Sequence, residues 1–258
     1  MDELLAVMRE LRNPNGGCAW DLEQTLQSIV PHTLEEAYEV AEAITRNDLP
    51  AVRDELGDLL YQVVFLARIA EEAGQFSFDD VARAIAAKLV RRHPHVFGER
   101  RALDATEQTA AWETYKHSER SALGETGTLA GVALALPALT RAVKLGKRAA
   151  RVNFDWPDAS GMRTKLDEEL REFEETLRDG ESVERQSEEL GDLLFVIANW
   201  SRHLKLDPEG ALRAANAKFE RRFARMEEFA RGEGVELEKL DLASWEALWQ
   251  RAKACEKG

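Results

Sequence analysis

Cysteine is scarce in this sequence: only Cys18 and Cys255 occur among 258 residues, near opposite ends of the chain. Their separation is not the spacing of a metal-binding cysteine motif, and reduced thiols in a cytoplasmic setting are expected. The first ten residues lack the basic segment and the apolar core of a signal peptide. No apolar run reaches the ~18 residues that a membrane-spanning helix needs. We therefore expect a cytoplasmic protein without a membrane partner.

A basic surface is also missing. The chain has 35 basic and 48 acidic residues, which gives a formal net charge of -13 at pH 7. This balance argues against nucleic acid as a partner, because binding to nucleic acid depends on positive charge. Small phosphate ligands remain compatible with it, since a bound metal ion inverts the local field. The nucleophile motif Gly-x-Ser-x-Gly and the P-loop are absent, so no covalent nucleophile is indicated.

Strand patterns are lacking as well. No segment shows sustained alternation of apolar and polar residues between turn signals, so no sheet is predicted. Apolar residues recur instead at helical spacing, as Leu4, Leu5, Met8 and Leu11 do. The fold class is predicted to be all-α. Helices are expected over residues 4–11, 33–46, 50–72, from Ser77 to before Pro94, around Trp112 and Lys116, over 137–150, 161–178 and 184–203, from Pro208 to about 231, and from Asp241 or Ser244 onward.

What the chain does contain is one acidic pattern in two copies. Glu35-Glu36-x-x-Glu39 is followed by Glu55-Leu56-Gly57-Asp58, and Glu168-Glu169-x-x-Glu172 is followed by Glu189-Leu190-Gly191-Asp192. The key acids of the first copy are spaced by 3, 16 and 3 residues, and those of the second by 3, 17 and 3. Matching letters and spacing indicate an internal duplication.

A structural explanation competes with a functional one for the first copy. Acidic runs are usually solvated helix faces in a chain this acidic, and Thr33-x-x-Glu36 has the form of a capping box at a helix start. Glu169, however, lies five residues after Thr164 and well inside its predicted helix. Capping cannot explain the second copy, and the duplication therefore favours a functional role for both.

The acids suit a divalent metal ion. Residues three apart face the same side of a helix, so two such helices packed together would hold four carboxylates around one point. Oxygen-only ligands in that number are typical of Mg²⁺, with Mn²⁺ as a second candidate.

Cationic and aromatic residues also recur in pairs. Lys88-x-x-Arg91-Arg92 matches Lys218-x-x-Arg221-Arg222, and Trp112-x-x-x-Lys116 matches Trp249-x-x-x-Lys253. Exposed helix ends and core tryptophans would explain them structurally. Beside a metal site they predict phosphate neutralisation and a platform for stacking a base.

Two other classes of protein share parts of this pattern. A ferritin-like di-iron oxidase also builds carboxylates into a helical bundle, but it needs Glu-x-x-His pairs. None of the five histidines has a glutamate three residues before it. A non-catalytic module that binds nucleotide or a partner remains open for the first half.

The motifs together resemble the MazG nucleoside triphosphate pyrophosphohydrolases. Cys18-Ala-Trp-Asp21, Glu35-Glu-x-x-Glu39, Glu55-Leu-Gly-Asp58 and Arg91-Arg-His-Pro-His-Val-Phe97 are similar to the N-terminal half of that family. Phe154-Asp-Trp156, Glu168-Glu-x-x-Glu172, Glu188-Glu-Leu-Gly-Asp192 and Lys218-Phe-Glu-Arg-Arg222 are similar to its C-terminal half. The resemblance implies two all-α pyrophosphatase modules, a homodimer, and Mg²⁺-dependent hydrolysis of NTP to NMP and pyrophosphate. It further implies broad base specificity and a role in cleaning the nucleotide pool.

Carried over to this sequence, the resemblance assigns activity to the C-terminal half. It places the metal on Glu169, Glu172, Glu189 and Asp192. We expect Glu168, the spare carboxylate of this set, to take a proton or to hold a second ion. Nucleotide contacts are assigned to Lys165, Glu188, Lys218, Arg222, Trp249 and Lys253. The second candidate metal site comprises Glu36, Glu39, Glu55 and Asp58, and neither set of four departs from the pattern. We expect modules at residues 1–120 and 134–258, joined by a linker rich in Gly and Thr at 121–133.

Overall fold

The computed structural model describes residues 1–98, 104, 108, 115, 127–156 and 158–256. These residues form helices joined by turns and include no strand, which confirms the predicted all-α class. The chain divides into two compact units, Met1–Lys116 and His117–Gly258, called here the N-terminal and C-terminal modules. The helix predicted around Trp112 and Lys116 and the first part of the predicted linker lie outside the described residues.

The helices follow one another in a similar order in the two modules. In the N-terminal module these are α1 (Asp2–Leu11), α2 (Ala19–Glu23), α3 (Leu26–Thr45), α4 (Leu49–Glu72), α5 (Phe78–Arg92) and α6 (Pro94–Phe97). In the C-terminal module they are α7 (Ala138–Ala149), a 3₁₀ turn (Ala150–Val152), α8 (Ala159–Arg178), α9 (Val183–His203), α10 (Pro208–Glu233), a 3₁₀ turn (Leu237–Lys239) and α11 (Leu242–Cys255).

The core of the N-terminal module forms where α1, α3 and α4 meet. Met8, Ile29, Val64 and Phe65 are each 1% exposed and pack into one cluster. Burying an aliphatic or aromatic side chain of this size stabilises a fold by roughly 1.5–3 kcal/mol. This cluster holds α3 and α4 side by side, and these are the two helices that carry the first acidic pattern.

The start of α3 differs from the prediction. The helix begins at Leu26, and Thr25 caps it through reciprocal hydrogen bonds with Ser28, at 2.9 and 3.2 Å. Thr33 therefore lies inside the helix, where its hydroxyl donates to the carbonyl of Ile29. Pro31, which costs a backbone hydrogen bond, is tolerated because the first turn is anchored by its cap and by buried Ile29. The predicted capping box of Thr33 and Glu36 is wrong, so Glu36 has no capping role.

In the C-terminal module, α8 and α9 pack along each other and α7 packs against α9. Gly146 of α7 lies close to α9, because a Cβ built there would lie 2.9 Å from Cγ of Asn199. The α10–α11 hairpin has a core cluster of its own, formed by Met226, Ala230, Leu248 and Ala252. The short helices α2 and α6 were not predicted, and the residues of α2 were expected to form a loop. The boundaries of the remaining helices lie close to their predicted positions.

Replacing Gly146 by Ala is expected to destabilise the C-terminal module by roughly 1–3 kcal/mol, because the added methyl overpacks the contact with α9. Gly232→Ala in α10 provides a matched control, since nothing lies within 4 Å of its Cβ position. Alanine there gains up to about 1 kcal/mol of helix propensity. Urea unfolding of both variants measures the difference, and equal stabilities would show that the side chain of Asn199 moves aside without a cost in free energy.

The loop before α8 is tied to the end of α9 by Asp155. Arg202 donates from Nη1 to Asp155 Oδ2 at 2.9 Å, and His203 Nε2 lies 3.0 Å from Oδ1. The hydrogen bonds from Arg202 lower the pKa of Asp155 most strongly; burial opposes this, and His203 assists it. The folded state consequently favours the ionised carboxylate.

This ion pair predicts a specific response to acid. Asp155 contributes stability above its unfolded pKa of about 3.9, and that contribution is lost as pH falls through the lowered folded value. Asp155→Asn should therefore be less stable than the parent at pH 7 and lose less stability below about pH 4. Thermal unfolding across pH measures this, with Asp167→Asn in an exposed ion pair as control. Parallel pH profiles for parent and Asp155→Asn would contradict the assignment.

Candidate metal centre

Three acids of the N-terminal module meet on the facing sides of α3 and α4. Oxygen atoms of Glu36, Glu55 and Asp58 all lie within 4.8 Å of one another. Glu39, the fourth predicted member, is exposed and contributes its charge from nearby. The spacing of the acidic pattern thus produces the expected cluster on one face of a helix pair.

The negative charge of this first cluster is not compensated. The pKa of Glu36 is raised first by burial and then by the charges of Asp58 and Glu39. The pKa of Glu55 is raised first by burial and then by Glu39 and Asp58, against a lowering effect of Arg46. No ion pair to any of the four acids occurs among the described residues. Carboxylates that repel one another in this way favour a bound cation.

Gln62 adds a polar group that the sequence reasoning missed. Its side chain is 5% exposed, and its amide nitrogen donates to Glu36 Oε1 at 3.4 Å. Its amide oxygen is buried without a hydrogen-bond partner. Gln62 lies one helical turn after Asp58, which is the signal that could have identified it. A buried amide with an unused acceptor fits a site that gains a further ligand or water.

The C-terminal module brings five of its six predicted carboxylates into two overlapping groups, which do not include Glu188. Oxygen atoms of Glu169, Glu189 and Asp192 lie within 4.8 Å of one another, and so do those of Glu168, Glu169 and Glu172. Glu169 belongs to both groups and is 5% exposed, while Glu189 is 3% exposed. Two overlapping groups of acids therefore share one buried carboxylate.

Two cations already contact the buried acids of this second cluster. Lys165 Nζ lies 2.6 Å from Glu169 Oε1 and 2.9 Å from Glu168 Oε1, and these contacts raise the pKa of the lysine. Arg185 contacts Glu189 directly and lies 3.0 Å from Glu188. Arg185 was not singled out from the sequence, although its position one turn before Glu189 pointed to it.

The N-terminal module lacks both cations. Lys165 stands four residues before Glu169, and the residue four before Glu36 is His32. Arg185 stands four residues before Glu189, and the residue four before Glu55 is Ala51. Gln62, four residues after Asp58, corresponds in turn to Val196. The two acidic clusters are alike in ligands and different in the residues that surround them.

The remaining nucleotide candidates form a second group on the α10–α11 hairpin. The guanidinium of Arg222 lies over the ring of Trp249, 5.4 Å from its centre, and pairs with Glu256 at 2.7 Å. Phe219 packs against the same tryptophan. Lys218 is exposed on α10, and Lys253 is half-buried on α11. In the part of the chain that the structure describes, no hydrogen bond or ion pair joins this hairpin group to the carboxylates.

The corresponding basic motif of the N-terminal module lies at the end of α5. Lys88 is exposed there, and Arg91 and Arg92 occupy the last turn. The aromatic partner predicted for this motif, Trp112 with Lys116, falls outside the described residues.

The donor sets of both modules fit a hard divalent cation. Each consists of carboxylate oxygens from two helices, which Mg²⁺ and Mn²⁺ prefer over nitrogen or sulfur. The unused oxygen of buried Gln62 supports the same conclusion at the first site. No helix among the described residues combines the length and apolar character needed to cross a bilayer.

Comparisons with known proteins identify the family of this chain. The family model of the MazG nucleotide pyrophosphohydrolase domain matches residues 24–97. A nucleoside triphosphate pyrophosphohydrolase of Escherichia coli is 45% identical over 257 residues, which cover 98% of this chain and 97% of that protein. The nucleoside triphosphate pyrophosphohydrolase/pyrophosphatase MazG of Thermotoga maritima is 42% identical over 257 residues, covering 98% and 95%. The uncharacterized protein YabN of Bacillus subtilis is 43% identical over 252 residues, covering 98% of this chain and 51% of YabN.

Fold and site together define an all-helical hydrolase whose acids are carried by paired helices. The chain is similar to two nucleoside triphosphate pyrophosphohydrolases over nearly their whole length, which identifies its family within this class. The chain belongs to the MazG family of nucleoside triphosphate pyrophosphohydrolases. The predicted family and enzyme class are thereby confirmed.

Proposed function

We propose that this protein hydrolyses nucleoside triphosphates to nucleoside monophosphate and pyrophosphate in the C-terminal module, with Mg²⁺ as cofactor. The observation that carries the proposal is the convergence of five carboxylates around buried Glu169, with Lys165 and Arg185 at their edge. The names of the full-length relatives support the substrate class.

The metal is assigned to Glu169, Glu172, Glu189 and Asp192. When bound, Mg²⁺ supplies a Lewis acid for the phosphate oxygens and lowers the pKa of a water. Glu168 lies beside this set and accepts the proton of the attacking water. In the nucleotide-free structure its Oε1 accepts from Lys165 at 2.9 Å.

The cations and aromatic residues bind the rest of the substrate. Lys165 and Arg185 sit where they can pair with phosphate oxygens, and Glu188 orients Arg185. Lys218, Arg222 and Lys253 neutralise the departing pyrophosphate. The ring of Trp249 stacks on the base, and stacking accepts every base because each presents a π-face. Broad base specificity and a role in cleaning the nucleotide pool follow from this mode of binding.

We also propose that the protein forms a homodimer. Leu190, Leu194 and Phe195 of α9 are 41–44% exposed, although they are large and apolar. An apolar cleft of about 470 Å³, lined by α7 and α9, adjoins them. A second copy that covers this face would bury it. Leu194→Glu is expected to halve the molar mass measured by light scattering, whereas Leu242→Glu, at an 86% exposed position, leaves it unchanged.

The cytoplasm is the proposed compartment. Cys18 and Cys255 are both free and exposed, which suits a reducing environment.

The activity is tested by incubating the purified chain with Mg²⁺ and a panel of ribo- and deoxyribonucleoside triphosphates. NMP together with pyrophosphate from several bases is the expected result. Formation of NDP and orthophosphate would show that a different phosphoanhydride bond is cleaved and would contradict the proposal. Hydrolysis of triphosphates that carry one base only would show a selective enzyme rather than one of broad specificity. No turnover with Mg²⁺ or Mn²⁺ would favour a non-catalytic nucleotide-binding protein.

A further inference from the structure

The two acidic clusters differ in how their buried carboxylates are neutralised. Glu169 and Glu189 each carry an internal ion pair, while Glu36 and Glu55 carry none within the described residues. Glu36 is held instead by the neutral amide of Gln62. Two of the four metal candidates in the C-terminal module are therefore occupied by the chain's own cations.

We propose that Lys165 and Arg185 act as internal counter-cations that close the C-terminal site to metal until a nucleotide triphosphate draws them away, whereas the N-terminal site binds divalent metal without nucleotide. This inference rests on the proposed function of the C-terminal module. It concerns when each site takes metal, which the shared acidic pattern does not determine.

The geometry places both cations at the mouth of the cluster. The side chains of Lys165 and Arg185 are 32% and 50% exposed, while their partners Glu169 and Glu189 are 6% and 4% exposed. The carboxylates are thus fixed inside, and the cations reach them from the solvent side. Long flexible side chains in that position can leave the acids without unfolding a helix.

Metal alone must break these ion pairs to reach its ligands. Hydrogen bonds between charged groups contribute about 1.5–3 kcal/mol each, which corresponds to roughly tenfold or more in affinity per pair. At the N-terminal cluster no such contact has to be broken, and the mutual repulsion of the acids is relieved by the ion. The N-terminal site is therefore the tighter one in the absence of nucleotide.

Binding of a triphosphate reverses this difference in metal affinity between the two sites. Its oxygens offer Lys165 and Arg185 an anionic partner of the kind that lysine and arginine bind best. Once the two cations pair with phosphate, Glu169 and Glu189 are free for the ion. Metal and nucleotide then strengthen each other's binding, and this coupling is reciprocal.

Mn²⁺ titration of the purified full chain tests the proposal, with the free ion followed by electron paramagnetic resonance. Two classes of site are expected, and Asp58→Asn should remove the tight class and Asp192→Asn the weak one. A non-hydrolysable α,β-methylene triphosphate should tighten the weak class tenfold or more, after correction for metal bound to free analogue. Lys165→Met and Arg185→Met should each tighten that class about tenfold without the analogue and reduce its effect.

Controls come from the same helices. Arg163→Met removes an exposed pair with Asp167 on α8 and should change neither class. The double variant His32→Lys, Ala51→Arg places the two cations in the N-terminal module and should weaken the tight class.

Two classes of equal affinity, or Lys165→Met and Arg185→Met proteins with unchanged Mn²⁺ binding, would overturn the proposal. If Lys165→Met and Arg185→Met both bind Mn²⁺ more tightly but the analogue does not change Mn²⁺ binding to the parent, the claim that nucleotide opens the C-terminal site to metal would be overturned. The titrations need no turnover, so a protein that binds metal as expected and hydrolyses no triphosphate refutes the proposed function instead.

Discussion

Asp192→Asn is expected to lower turnover by at least about a hundredfold, because it removes a carboxylate ligand from the proposed metal site, and loss of even an outer-shell partner costs 10–100-fold. Asp192 is exposed and makes no ion pair among the described residues, so the substitution leaves the helices folded. Steady-state kinetics at saturating Mg²⁺ measures the loss, and circular dichroism with thermal unfolding verifies the fold.

The duplication supplies the control for this experiment. Asp58→Asn makes the same change in the same four-residue motif of the N-terminal module, where the aspartate is also exposed. It should keep turnover within a few-fold of the parent while losing its own metal site. The reverse result would move the reaction to the N-terminal module. Normal turnover in both variants would refute the assignment of metal to these acids.

Arg12→Met is expected to destabilise the N-terminal module by about 3 kcal/mol, because it breaks a network around a buried cation. Arg12 is 6% exposed and donates from Nη2 to Glu72 at 2.7 Å. It also donates to the backbone carbonyls of Asp21 and Gln24 and lies over the ring of Phe65. Methionine keeps part of the apolar stem and removes every donor, so these acceptors lose their partner.

Urea unfolding of the full chain reports this loss, with Arg9→Met as the matched control. Arg9 lies on the same helix and is exposed, so its replacement should change stability by less than about 0.5 kcal/mol. Equal midpoints for the two variants would mean that the carbonyls around Arg12 find other donors.

Local rules predicted most helices and both carboxylate clusters. Pro50 in the first turn of α4, Ser77 with Asp80 at the start of α5, and Asp241 before α11 act where the sequence placed them. Three-residue spacing fixes which side chains share a helical face, and it brings the acids together in groups of three rather than in the predicted sets of four.

The sequence-based prediction failed where contacts between residues far apart in the chain determine a helix boundary or the burial of a side chain. Nothing local shows that Ile29 is buried in the core, and α3 therefore begins seven residues earlier than its predicted start at Thr33. Likewise, nothing local shows that Arg12 is buried, because its partners, Glu72 and the loop carbonyls, reach it only in the folded chain. The contrast between Arg185 and Ala51 was visible in the sequence, but its meaning required the contact with Glu189.

The hairpin of α10 and α11 draws all four members of its buried cluster from its own two helices. We therefore expect this hairpin to open locally at a free energy below that of global unfolding. Arg222 and Trp249 travel with it, while Glu169 and Glu189 stay on α8 and α9. In the proposed mechanism, base binding and metal binding can therefore be altered separately by mutation.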